Sequence, residues 1–182
     1  DIRRGLLEKV ADLHGTPQGA YNIRANGQSA GRQNTDEIII ENKTDKPGIN
    51  IIVKPGTKRK SVHIPVIISK AGLQEVVYND FYIGEGAEVR IVAGCGIHNV
   101  GDEETAHDGI HAFHLEKNAK VKYVEKHYGE STGEGTNVMN PTTIVVMEED
   151  SYMEMETAQI KGVDSTERST TATLAAGATL IV

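Results

Sequence analysis

Glu85-Gly86-Ala87-Glu88-Val89-Arg90-Ile91 has three counterparts later in the chain: Lys117-Asn118-Ala119-Lys120-Val121-Lys122-Tyr123, Glu149-Asp150-Ser151-Tyr152-Met153-Glu154-Met155 and Ala176-Gly177-Ala178-Thr179-Leu180-Ile181-Val182. The offsets are 32, 32 and 27 residues. Each copy is a charged or small turn, a small residue, and then a strand. In the first three copies that strand alternates apolar with polar positions. A unit of this length, made of strands and turns with no helical period between them, cannot bury its own apolar face and must stack on its neighbours. The repeat therefore predicts an all-β parallel β-helix, a solenoid. A β-sandwich, whose strands also recur at regular spacing, is the competing architecture.

Composition agrees with strands. Ile, Val and Thr number 18, 16 and 15, against 7 Leu, the usual helix-core residue. Short β-branched runs bounded by turn residues continue the pattern from Ile38–Ile40 through Ile49–Val53, Val62–Ile68, Val76–Ile83, Val89–Ala93, Ile110–Leu115, Val121–Val124, Ile144–Met147 and Met153–Ile160 to Leu174–Val182. Before them, Ile2, Leu6, Val10 and Leu13 recur at near-helical spacing and Gly15 with Pro17 supplies a stop, which predicts one short N-terminal helix. Residues 19–34 are polar and turn-prone. The expected organisation is a helix and turn-rich lead-in over 1–34 and a β-helix core over 35–182. The last repeat stops mid-strand without a polar cap, so the core is expected to be truncated at its C-terminal end or covered by a partner.

The chain has 182 residues, one Cys, seven His, no Trp and a net charge of -7. One cysteine forms no internal disulfide and cannot by itself supply a zinc ribbon or an iron-sulfur site. The apolar runs are only a few residues long, far short of the ~20 of a spanning helix, and no signal-peptide pattern opens the chain. The acidic balance argues against nucleic acid or an anionic membrane as the main partner. A reducing, cytoplasmic setting is expected.

Five of the seven histidines and the cysteine share one span: Cys95, His98, His107, His111, His114 and His127. Imidazole and thiolate are ligands for zinc, iron and copper, so the clustering raises a metal role. On an extended strand His107 and His111 lie about 13 Å apart, too far to share an ion. Stacking does better. The 32-residue offset puts Cys95 in register with His127, about 5 Å away on the next coil. Against this, glycines on both sides of Cys95 predict that the strand ends or bulges there. The candidate metal-facing set is Cys95, His98, His111 and His127. The alternative is a buried apolar thiol and surface histidines. No spacing supports a nucleophile and base, a dinucleotide fingerprint or a phosphate loop, so no enzymatic activity is expected.

Gly94-Cys95-Gly96-Ile97-His98-Asn99, His107-Asp108-Gly109-Ile110-His111, the stretch 116–129 and Gly162-Val163-Asp164-Ser165-Thr166-Glu167-Arg168 resemble the SufB/SufD family of iron-sulfur cluster assembly proteins, closest to the short stand-alone members of archaea and anaerobes. The resemblance implies a right-handed parallel β-helix and a scaffold that works with a SufC-like ABC ATPase, as a homodimer or a SufB/SufD-type heterodimer. It also implies an iron-sulfur cluster built transiently, here expected at an interface where a partner adds ligands to Cys95 and the histidines. The family's proposed cluster-ligating residues lie toward the C-terminus of longer members, beyond the stretch that this sequence resembles, and are not carried over. A structural, protein-interaction β-helix that binds no metal is the alternative. A β-helix enzyme acting on polysaccharide is disfavoured by the scarcity of aromatics.

Overall fold

The computed structural model describes residues 2–11 and 18–182, the side chains of the helix being described from Arg4 to Lys9. One helix, α1 (Ile2–Ala11), precedes fourteen strands. These are β1 (Ala20–Ala25), β2 (Gln28–Gln33), β3 (Ile38–Asn42), β4 (Gly48–Val53), β5 (Lys60–Ile68), β6 (Gln74–Ile83) and β7 (Glu88–Asn99). The second half adds β8 (Thr105–Leu115), β9 (Lys120–Ser131), β10 (Asn137–Met139), β11 (Thr142–Met147), β12 (Tyr152–Lys161), β13 (Ser169–Leu174) and β14 (Thr179–Ile181). They form two seven-stranded sheets. One runs β14-β12-β9-β7-β5-β1-β2; the other runs β13-β11-β8-β6-β4-β3, with β10 beside β8. Apart from the β1–β2 and β3–β4 hairpins every pairing is parallel. The result is a β-solenoid of about four turns.

The register follows the repeat. Val89 pairs with Val121, Val121 with Met153, and Met153 with Leu180. What fixes this phase is a corner repeated in every coil. Gly56, Gly86, Asn118, Asp150 and Gly177 all have positive φ, between 58° and 75°, the left-handed region that Gly, Asn and Asp adopt most readily. The residue after each closes a tight turn by donating its N–H three residues back: Thr57 to Lys54, Ala87 to Gly84, Ala119 to Glu116, Ser151 to Glu148, Ala178 to Ala175. The corners also bond to one another up the stack, Gly56 N–H to Glu85 O, Gly86 to Lys117, Asn118 to Glu149 and Asp150 to Ala176. Ala87, Ala119 and Ser151 are buried to 1% exposure or less, which is why a small residue stands there.

Inward-facing side chains stack coil on coil. Ile51, Phe81, Phe113 and Val145 form one ladder, with the two phenyl rings 4.6 Å apart and nearly parallel. Ile91, Tyr123 and Met155 face them from the other sheet.

α1 lies on the outer face of the sheet that holds β5, β7 and β9, with Leu6 fully buried against Ile67 and Tyr128. Leu13, Gly15 and Pro17, which carried the expected helix end, lie outside the described residues. Helix and glycine explain each other: a Cβ on Gly96 would stand 3.1 Å from Leu6. The expected break at Gly94 and Gly96 is therefore absent, and the β7–β9 ladder runs unbroken from Glu88 to Asn99. Residues 19–34, expected to be irregular, instead form the β1–β2 hairpin. Asn26 and Gly27 both have positive φ at its tip, the conformation a two-residue hairpin favours. β1 joins the sheet by pairing parallel with β5.

Asn118 provides a direct test of the corner. Asn118→Gly is expected to change stability by less than about 0.5 kcal/mol, whereas Asn118→Ile, forced into a left-handed backbone, should lose about 1–3 kcal/mol. Equal urea midpoints for the two variants would contradict this account.

Candidate functional site

Tyr123, Glu125 and His127 occupy alternate, inward-facing positions of β9, beside Ile91, Ala93 and Cys95 of β7. From the opposite sheet β8 presents His107, Gly109 and His111 inward. The interior thus carries a polar row between the main apolar core and a smaller apolar cluster of Val66, Ile68, Ile97 and Met139. Cys95, His107, His111, Glu125 and His127 line a cavity of about 20 Å³, room for one water molecule. All five are less than 9% exposed.

The sequence register between Cys95 and His127 is present in the fold. His111 is brought to the same cavity. His98 is not: three residues from Cys95 on a continuous strand, it faces the opposite side of the sheet. There its Nδ1 is 2.6 Å from Glu130, which also accepts from Tyr128 at 3.0 Å. His107 and His111 do approach each other. Their Nε2 atoms lie 3.5 and 3.1 Å from where a Gly109 Cβ would be, hence no more than 6.6 Å apart. Side chains of one strand face lean into the space a glycine leaves, so the backbone spacing overstates their separation.

Two buried carboxylates organise this interior. Glu125 accepts from the Tyr123 hydroxyl at 2.7 Å and from Arg168 at 2.8 Å, with His127 Nε2 at 3.4 Å. Glu75 is held by Arg24 at 3.2 Å and by His107 Nδ1 at 2.9 Å. Arg168 is delivered by the crossing 162–168, which Asn137 pins through its Nδ2 to Gly162 O (2.9 Å) and its N–H to Asp164 (2.7 Å). Burial opposes ionisation of Glu125, but the hydrogen bond and charge of His127, with His111 and Tyr123, outweigh it and hold the carboxyl below its usual range. For Glu75 burial is again the largest influence, overcome by His107 and Arg24.

His111 reads as a neutral ring. The direction of its hydrogen bonds assigns the tautomer: Tyr123 spends its proton on Glu125, so its oxygen accepts from His111 Nδ1–H at 2.7 Å, while Asn79 donates to Nε2 at 3.3 Å. Burial lowers the pKa of His111 to about 4; Glu125 pulls the other way, and His107, His127 and Arg168 lower it further. Cys95 is pushed well above its ordinary value by burial first and then by Glu75 and Glu125, so it is a thiol at neutral pH. Among the described residues no three His, Cys, Asp or Glu side chains are arranged to hold a metal ion.

Glu125, Glu75, Tyr123 and the two arginines escaped the sequence reading. Glu125 carried a usable signal: the offset that pairs Cys95 with His127 also pairs Ala93 with Glu125, two residues earlier and on the same face.

A lowered histidine pKa in the folded state means that the unfolded chain binds more protons between pH 6.5 and about 4, so stability rises with pH across that window. His111 is expected to withdraw about 2 kcal/mol on going from pH 7 to pH 5, and Glu125 adds its own loss below its ordinary carboxyl range. Urea midpoints measured at both pH values should fall sharply for the wild type and much less for His111→Gln. An equal fall in both proteins would contradict the assignment. Comparisons with protein-family models, curated proteins and solved structures match nothing to this chain.

Proposed function

We propose that this chain is a non-catalytic scaffold of SUF-type iron-sulfur cluster assembly. It acts in the cytoplasm with a SufC-like ATPase, as a homodimer or a SufB/SufD-type heterodimer. The observation that carries the reading is the placement of Cys95 directly beside His127, with His111 and Glu125 on the same water-sized cavity. The β-solenoid itself is the architecture that the resemblance implies. No helix among the described residues is long and apolar enough to cross a membrane.

The cluster is cargo in this reading, and the site sets conditions on it. A cavity of about 20 Å³ has no room for a cluster, so Cys95 can meet iron or sulfide only where the coils part or where a partner subunit completes the site. Binding a cation requires Cys95 to lose its proton, which burial first and then Glu75 and Glu125 oppose until the cation is present; ligation and proton release are therefore coupled. His127 lies beside that thiol, and His111 can offer its Nε2 by giving up the long bond from Asn79. His98, on the outer face, can reach only a group that a partner brings.

The second reading, a structural interaction solenoid without metal, is favoured by a specific observation: the charged groups around the cavity are already paired with one another.

Anaerobic reconstitution with iron and sulfide separates the two. The scaffold reading expects bound iron, bound sulfide and visible absorbance in the wild type, falling to background in Cys95→Ser. Equal iron and sulfide content in both proteins removes Cys95 from the site, and none in either supports the structural reading.

A further inference from the structure

A chain of net charge -7 gathers Arg59, Lys60, Arg90, Lys120 and Lys122 around one groove of about 480 Å³, with Glu88 and Glu154 as the only carboxylates on its wall. The groove lies on the outer face of the sheet that carries α1. It is at the strand beginnings next to the stacked corners, away from the Ile67, Gly96 and Tyr128 end that the helix covers. The parallel register builds it. Arg90 stands between Ser61 and Lys122 on neighbouring strands, and Lys120 stands between Glu88 and Tyr152.

Two of the five cations are engaged. Lys122 reaches Glu154 at 3.1 Å and Glu156 at 3.6 Å, and Lys60 reaches Glu37 at 3.9 Å. Arg59, Arg90 and Lys120 have no carboxylate within 4.0 Å among the described residues. Arg59 is held at the rim with φ 54°. Placing Arg90 in register with Lys122, about 5 Å away on one face, sets like charges side by side, an arrangement that costs stability in a sheet. Guanidinium groups bind phosphate oxygens in pairs and ammonium groups add charge. The free cations span about two strand spacings, roughly 10 Å, more than a single phosphate covers. The volume is that of a small-molecule site, and the acidic remainder of the chain does not extend the patch into a nucleic-acid track.

We propose that this groove binds a small molecule bearing consecutive phosphate groups, either an inorganic polyphosphate or a nucleoside polyphosphate. Arg59, Arg90 and Lys120 contact the phosphates. The ring of Tyr152, whose hydroxyl is turned to Glu154, lies beside them as a surface on which a base can stack.

Isothermal titration of the full chain with sodium tripolyphosphate and, separately, with magnesium-free ATP tests this. Saturable 1:1 binding that weakens with added salt is expected. Arg90→Gln/Lys120→Gln should weaken it by about tenfold or more, and Lys46→Gln/Lys70→Gln, on the exposed turns 43–47 and 69–73 away from the groove, should leave it unchanged. Equal affinity for the two ligands assigns the phosphate chain alone. Tighter ATP binding that Tyr152→Ala reduces to the tripolyphosphate level assigns a nucleotide. No saturable heat for either ligand up to several millimolar, or unchanged binding in the double variant, overturns the proposal. Should unfolding curves show that the double variant does not fold, Arg59→Gln alone carries the same test.

Discussion

Everything in this molecule depends on holding one coil in register with the next. A parallel sheet slipped by one residue would turn every inward side chain outward, and the stacked corners at Gly56, Gly86, Asn118, Asp150 and Gly177 prevent that slip. Each corner takes a left-handed residue and closes a tight turn, and each of the first four hands a hydrogen bond to the corner above. Once the corners are aligned, each strand position inherits the neighbours of the position one coil away. The phenylalanine ladder, the Cys95–His127 pair and the cationic groove are three consequences of that one constraint.

The polar row of the interior shows what the constraint costs and how the cost is met. Buried carboxylates are expensive unless paired and hydrogen-bonded. Glu75 and Glu125 are each supplied with one arginine and one histidine, the arginines coming from β1 and from the crossing after β12, far apart in sequence. Burial keeps His111 neutral against the pull of Glu125, and burial first, then the two carboxylate charges, keep the proton on the Cys95 thiol. A scaffold that must not trap metal prematurely, and a structural solenoid that binds none, both begin from this closed, internally paired state. They differ in whether the coils part.

The sequence is most legible where side-chain size and backbone conformation coincide. The small residues Ala87, Ala119 and Ser151, each following a Gly, Asn or Asp, announce both the repeat and its phase, and that phase is enough to pair Cys95 with His127. Parity along β7 also separates His98 from Cys95, once the strand is known to continue. The sequence hides that continuation because Gly96 reads as a breaker; its reason for being glycine is the Leu6 side chain of a helix ninety residues earlier, a contact that no local pattern encodes. The β1–β2 hairpin was hidden for a related cause. Its Asn26-Gly27 tip is a strong signal, but its strands are polar, and β2, at a sheet edge, buries none of its side chains. Glu125 is hard to read because a lone carboxylate next to a lysine looks like surface, and its burial becomes tenable only with Tyr123 and His127 on the same strand face and Arg168 arriving from a distant segment.

The central claim is that coil register assembles a buried, charge-balanced polar row in which His111 is neutral, donating from Nδ1 to Tyr123. Nitrogen-15 NMR of imidazole-labelled protein measures this directly. The account predicts one histidine that shows the Nδ1–H tautomer at pH 7, remains neutral through pH 5, titrates near pH 4 and disappears from the spectrum in His111→Gln. A His111 that titrates near its ordinary value of 6.5, or that carries its proton on Nε2, would contradict it.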